Sequence, residues 1–211
     1  MTRLLDKIAQ TLINGDRSGI ESLVREAIEQ FTPDSVLEDG LMKGMEVVGK
    51  RFRDCEMFIP EVIRSADCMK KAMEILQPRL VETGGGKLGR TVIIGTVKGD
   101  LHDIGKNLVG MMLEGGGFHV VDLGVDVAPE KFVNAVREHK PQLLGMSALL
   151  TTTMPFMKET VDALKEAGLK DSVRVIVGGA PVNMEFAREI GSDGYGPNAG
   201  ATMELARDLI G

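Results

Sequence analysis

Tryptophan is missing from the 211 residues, tyrosine occurs once, and aromatic side chains together make up 4% of the chain. Stacking of bases on aromatic platforms, a common grip on single-stranded nucleic acid, has almost no material here. Positive charge is not in excess either, since 25 Lys and Arg face 31 Asp and Glu. Residues 1–83 and the remainder are each net acidic, so neither has the electrostatic footprint of a nucleic-acid or anionic-membrane binder. The two cysteines, Cys55 and Cys68, cannot make a disulfide framework and are too far apart for a C-x-x-C pair. No stretch approaches the ~18 apolar residues of a membrane helix. The opening MTRLLDKIAQ has no apolar signal core, and a cytoplasmic protein is expected.

Glycine, in contrast, is abundant at 26 residues. That exceeds the usual ~7% and suits tight turns and close approach of backbone to a ligand. Hydrophobic residues at 43% are enough for a packed core.

Up to about residue 82 the pattern is helical throughout. Apolar residues recur three and four apart in Leu4, Leu5, Ile8 and Leu12, then in Ile20, Leu23, Val24, Ala27, Ile28 and Phe31. Asn14-Gly15-Asp16 reads as a turn. Thr32-Pro33 sets a capping hydroxyl before a first-turn proline and starts a third helix through Val36, Leu41, Met45, Val48 and Phe52. Ile59-Pro60 starts a fourth through Val62, Ile63, Ala66, Met69, Met73 and Leu76. Residues 1–83 are therefore expected to form a four-helix bundle, and the glycine-rich residues 84–89 an interdomain linker.

From residue 90 to 211 the grammar changes. Short β-rich runs at Thr91–Val97, His119–Leu123, Leu143–Ser147 and Val173–Val177 alternate with helical patterns at Ile104–Glu114, Pro129–Glu138, Met154–Ala167 and Asn183–Ile190. A fifth strand near Gly194-Tyr195 and a last helix over Ala199–Ile210 complete the series. Such alternation predicts an α/β domain, a doubly wound, flavodoxin-like or Rossmann-like parallel sheet of five strands that binds its ligand beyond the carboxyl ends of the strands.

The polar and glycine-rich segments fall at that edge. After the first strand comes Gly99-Asp100-Leu101-His102-Asp103-Ile104-Gly105-Lys106-Asn107. An imidazole here faces the ligand crevice, and an acid two residues earlier can hold one ring nitrogen while the other ligates a metal. Taken alone, Asp-x-His more often describes a polar loop that caps a helix. Ser147-Ala148-Leu149-Leu150-Thr151-Thr152-Thr153 follows the third strand, with one threonine expected as a helix cap, and Gly178-Gly179-Ala180-Pro181 follows the fourth. A phosphate loop does not fit: Gly105-Lys106 precedes Asn107, and Gly99 lies six residues back instead of five. The 13 methionines read mostly as core filler, and His119 and His139 as structural or exposed.

The order D-x-H-x-x-G, S-x-L, G-G resembles the signature of cobalamin-binding domains in which a protein histidine replaces the cofactor's own base below the cobalt. The gaps of 41 residues between Gly105 and Ser147, and of 28 between Leu149 and Gly178, are similar to that family's. The N-terminal half, with Met57-Phe58-Ile59-Pro60-Glu61-Val62 ahead of a helix, resembles the helical cap that precedes this domain in methionine synthase and in free-standing corrinoid proteins.

That resemblance implies a corrinoid cofactor, cobalamin, with His102 as the cobalt ligand and Asp100 as its hydrogen-bond partner. It implies a cofactor-binding set of Asp100, His102, Asp103, Gly105, Ser147, Leu149, Thr151, Thr153, Gly178 and Gly179. Thr153 stands where methionine synthase has a serine, and Phe58 where the cap shields the upper face. Ile104 occupies the arginine position of the mutases' D-x-H-D-R-G, which argues against a carbon-skeleton mutase. The resemblance is strongest to stand-alone methyl carriers of anaerobic methanol, methylamine and betaine systems. Their partners are a substrate-specific methyltransferase, an acceptor-side methyltransferase of tetrahydrofolate or coenzyme M type, and a reductive activase. Such a chain does not turn over alone, and the glycine linker is its natural hinge. A cobalamin storage or sensing module is the alternative.

Overall fold

The computed structural model describes residues 2–82 and 90–210. The expected linker at 84–89 lies outside the described residues. Two compact units are present, one made by the N-terminal helices together with Met111–Phe118, the other by Arg90–Gly110 and His119 onward.

In the first unit, α1 (Thr2–Ile13) buries Leu5, Ile8, Leu12 and Ile13, one stripe at helical spacing. The turn that follows is held by Gly15 at φ +68°, and Asp16 caps α2 (Arg17–Ala27) by accepting the Gly19 N–H. Thr32 caps α3 (Pro33–Ser35) as its sequence suggests. The expected third helix then departs from regularity: Val36–Met42 is wound as a π-helix before α4 (Lys43–Arg53) resumes the α pitch. Widening the turn leaves Val36, Leu37, Gly40 and Leu41 all buried.

The fourth helix, α5 (Ile59–Glu82), runs past Pro78, which lies inside it. The proline removes a hydrogen-bond donor, yet Leu76 and Leu80 are both buried on one face, and that packing carries the helix across the defect. Met45 and Met69 are wholly buried, as core methionines should be.

From Thr91 the chain alternates β1 (Thr91–Thr96), α6 (Ile104–Gly115), β2 (His119–Asp122), α7 (Pro129–His139), β3 (Leu143–Ser147), α8 (Pro155–Glu166), β4 (Arg174–Gly178), α9 (Met184–Ile190), β5 (Gly194–Gly196) and α10 (Ala199–Ile210). The sheet is parallel throughout, in the order β2-β1-β3-β4-β5. Central strands are buried along most of their length, β1 from Val92 onward and β4 from Val175 to Val177, so they read as continuous apolar runs. Phe132 of α7 lies over Gly95, where an added Cβ would come within 2.7 Å of the ring. The order reverses at β1, so the loops after β1 and β3 diverge from neighbouring strands and open the crevice that such sheets use for ligands. Among the described residues no helix is long and apolar enough to cross a membrane.

Asp193 ties the far side of this sheet together. Its carboxylate accepts from Lys170 Nζ (2.8 Å), Arg174 (3.2 Å) and the Val175 N–H (2.7 Å). Burial pushes this carboxyl up, but the bonds from Lys170, Val175 and Arg174 outweigh it and hold it below its ordinary value. A lowered carboxyl contributes stability that is complete above the unfolded-state value of about 4 and is lost as pH falls through the folded one. Asp193→Asn should therefore cost about 1–3 kcal/mol at pH 7. Chemical denaturation at several pH values should show the gap to wild type narrowing below about pH 4; a gap independent of pH would contradict the assignment.

Candidate functional site

The site grows out of the end of β1. Thr96 is fully buried and its hydroxyl donates to the His102 carbonyl at 2.9 Å, fastening the loop to the strand it leaves. Val97 N–H reaches the Ser147 carbonyl (3.0 Å), and Asp100 N–H returns to the Val97 carbonyl (3.1 Å). This tight turn needs a left-handed residue, supplied by Gly99 at φ +77°. It points the Asp100 side chain inward, where it is fully buried.

Every acceptor position of that carboxylate is used. Oδ1 takes the His102 backbone N–H at 3.1 Å and lies 2.7 Å from His102 Nδ1. Oδ2 takes the N–H groups of Leu149 (2.7 Å) and Leu150 (3.2 Å). The Thr153 hydroxyl lies 2.8 Å from Oδ2 and 2.9 Å from the Leu150 carbonyl, so its one hydrogen is shared between them. Burial alone would raise the Asp100 carboxyl, but the bonds from His102, Leu149 and Thr153 prevail and hold it well below the usual carboxylate range. An ionised Asp100 can only accept, so the hydrogen between it and the imidazole sits on Nδ1. Nε2 is the ring nitrogen left over from this contact, and the His102 side chain is 51% exposed. A buried anion thus holds the half-exposed imidazole with one nitrogen committed, and in its neutral form the other is available to a metal.

The surroundings of that nitrogen are apolar. Leu101 and Ile104 on either side of His102 are 71% and 79% exposed, and Leu149 and Leu150 are 42% exposed. Four large apolar side chains left in water around one half-exposed imidazole mark a binding face, not a packing accident. One imidazole offers one coordination bond, so the metal it holds must bring its other ligands with it. A cobalt carried in a large apolar ring fits both requirements.

The other expected site residues are placed as follows. Gly105 is exposed at the start of α6, and a Cβ there would meet nothing within 4 Å. Asp103 precedes α6 and accepts from Asn107 Nδ2 at 3.0 Å. Ser147 ends β3 in register with Thr96 and Gly178, and Leu149 contributes its backbone N–H to Asp100. Thr151 is exposed. Gly178 and Gly179 follow from the protein's own backbone: a Cβ on Gly178 would lie 2.8 Å from the Gly196 carbonyl oxygen, and one on Gly179 only 1.8 Å from that of Ala148. The bare edge at the end of β4 is thus built in before any ligand arrives. Phe58 belongs to the helical unit, 66% exposed at the start of α5, where its N–H donates to Glu61 Oε2 (2.8 Å).

One expectation from the sequence needs adjustment. No threonine side chain caps α8, because Thr153 turns its hydroxyl to Asp100 instead. Lys106, weighed as a phosphate-binding lysine and rejected on spacing, is buried and committed to Asp122 and Asn107. Thr96, the amides of Leu149 and Leu150, and Asp126, which accepts the Gly99 N–H, are site residues that sequence reasoning passed over. Backbone donors have no side-chain signature, and Asp126 is the one that an acid in a short glycine-containing loop after β2 could have flagged.

Two family models match the chain, each described as a B12 binding domain, over residues 90–204 and 4–77. A corrinoid protein of Desulfitobacterium hafniense is 42% identical over 211 aligned residues, covering 99% of this chain and 98% of its own. A dimethylamine corrinoid protein of Methanosarcina barkeri is 38% identical over 208 residues, covering 98% and 97%. A chain in the crystal structure of the methanol:cobalamin methyltransferase complex of Methanosarcina barkeri matches with a TM-score of 0.84 at 35% identity, covering 99% of this chain and 80% of that one. With B12 binding domain models matching along both halves and a corrinoid protein 42% identical over nearly its whole length, the chain belongs to the corrinoid proteins and binds cobalamin.

Proposed function

We propose that this protein is the methyl-carrying subunit of a multi-component methyltransferase system. It takes a methyl group from a methylated amine, betaine or methanol-type substrate held on a partner methyltransferase and yields it to a second, acceptor-side methyltransferase of tetrahydrofolate or coenzyme M type. A reductive activase is the third expected partner, and the cytoplasm the expected compartment. Support comes from the relatives named for dimethylamine and from the structural likeness to a chain of a methanol:cobalamin methyltransferase complex. The single observation that carries the reading is the outward-facing Nε2 of His102, locked through Nδ1 by the buried Asp100.

When bound, cobalamin supplies a cobalt that can accept a methyl group and give it up again. The chain supplies the hold on that metal and its tuning. His102 is the residue that would ligate the cobalt, through Nε2. Asp100 makes the imidazole a better donor by accepting its Nδ1 hydrogen, and when Nε2 is not ligating, the same carboxylate charge can balance a proton carried there. Leu101, Ile104, Leu149 and Leu150 would cover the ring's apolar surface and keep water away. Gly105, Ser147, Gly178 and Gly179 would leave room for the cofactor's tail, with Asp103 and Thr151 at the mouth. Phe58 keeps the role that the resemblance implies, a shield for the upper face.

Removing the ligand should be decisive. His102→Ala should release cobalamin faster and change the visible spectrum of the oxidised cofactor; wild-type retention and spectrum would contradict the ligand role. Thr153→Val, which keeps the shape and loses the hydroxyl, should weaken retention by about 10- to 100-fold, the range for partners of a metal ligand. Thr153→Ser should stay close to wild type in the same dialysis assay, and equal retention by both variants would remove Thr153 from the network.

A further inference from the structure

The chain does not leave the sheet where β2 ends. Leu123 N–H donates to the Ile94 carbonyl (2.9 Å), Thr96 N–H to the Gly124 carbonyl (3.0 Å), and Val127 N–H to the Thr96 carbonyl (2.9 Å). Residues 123–127 thus continue beside β1 as an irregular extension, bulging where Gly124 (φ +85°) and Asp126 (φ +51°) are left-handed. Left-handed backbone is natural for glycine and disfavoured for other residues, with Asp and Asn the most tolerant. The strain at Asp126 is matched by what it aims. Asp126 Oδ1 accepts the Gly99 N–H at 2.6 Å, and the Asp126 N–H donates to the Asp100 carbonyl at 3.0 Å.

We propose that Asp126 is a positioning residue for the cobalt ligand: it grips the Gly99-Asp100 dipeptide at both ends and so holds the Asp100 carboxylate where it can lock His102. The proposal rests on the reading of His102 given above. Within the loop, the Asp100 backbone has one other tether on its N–H, the bond to the Val97 carbonyl. The five bonds to the Asp100 side chain all require its backbone at one position, because their donors sit on two different loops. Asp126 fixes that position from a third loop, through its bonds to the Gly99 N–H and the Asp100 carbonyl. A turn alone would be served better by glycine, which carries no left-handed penalty. The carboxylate adds what glycine cannot, an anionic acceptor for the Gly99 N–H.

Three variants separate the grip from the turn. Asp126→Asn keeps a side-chain acceptor and tolerates the backbone; Asp126→Gly relieves the backbone and loses the acceptor; Asp126→Ala loses both. In the cofactor-free protein, hydrogen exchange at the Gly99 amide should stay slow in wild type and D126N and accelerate about 10- to 100-fold in D126G and D126A, as expected for loss of a bond to a charged acceptor. In the cobalamin-loaded protein reduced to Co(II), paramagnetic resonance should show the histidine-coordinated fraction retained in wild type and D126N and lowered in D126G and D126A. Thermal unfolding of each variant confirms that the sheet is formed, and D126G, free of strain, guards against a fold that fails for other reasons. Wild-type exchange and coordination in D126G would overturn the proposal and leave Asp126 as a turn residue only. Absence of histidine coordination in the wild type would overturn the reading of His102 and this proposal with it, an outcome distinct from normal coordination in all four proteins, which overturns the proposal alone.

Discussion

The bond of 2.7 Å between His102 Nδ1 and the buried Asp100 carboxylate is the contact on which the rest of this sheet edge depends. A carboxylate taken out of water without partners is costly enough to unfold its surroundings or lose its charge. Here it keeps the charge because the imidazole, three backbone amides and a hydroxyl converge on it. Two of those amides and the hydroxyl come from the loop after β3, so the doubly wound topology, which brings the ends of β1 and β3 side by side at the reversal of strand order, is what makes the arrangement possible. The anion in turn decides the tautomer of the neutral imidazole, with the hydrogen on Nδ1 and the lone pair on Nε2.

From this follows a division of labour. On the proposed reading, reactivity toward methyl groups belongs to the cofactor, and the chain would contribute the His102 nitrogen, the polarity behind it and an apolar floor around it. Leu101 and Ile104 would be a liability on a surface meant for water, and a bound ring system lying over them would account for their exposure. The glycines at 178 and 179 show how the same edge is kept bare by backbone packing, because any side chain there collides with Gly196 or Ala148.

Much of this was legible in the sequence because each signal was local. Period-2 and period-3.6 patterns, Thr32 before Pro33, and Asn183 ahead of α9 are short-range features, and the strands over residues 143–147 and the last helix over 199–210 fall where their patterns place them. The π-helical turn at Val36–Met42 was invisible, since it answers to the packing of a buried face and not to a residue type. Pro78 inside α5 reads as a terminator until Leu80 is seen to be buried beyond it. At the site, Asp100 and His102 stood out by their motif. The amides of Leu149 and Leu150 did not, because a backbone donor has the same identity everywhere. One threonine of the run before α8 is expected to cap that helix because a threonine there usually does, and that Thr153 turns to the buried anion instead is visible only in three dimensions.

The most direct test of the central claim is paramagnetic resonance of the cobalamin-loaded protein in its Co(II) form, with and without uniform nitrogen-15 labelling of histidine. Ligation by His102 predicts nitrogen splitting that changes from a triplet to a doublet pattern on labelling and disappears in His102→Ala. Splitting unaffected by the label, which would come from the cofactor's own base, or a chain that takes up no cofactor on reconstitution, would contradict the account.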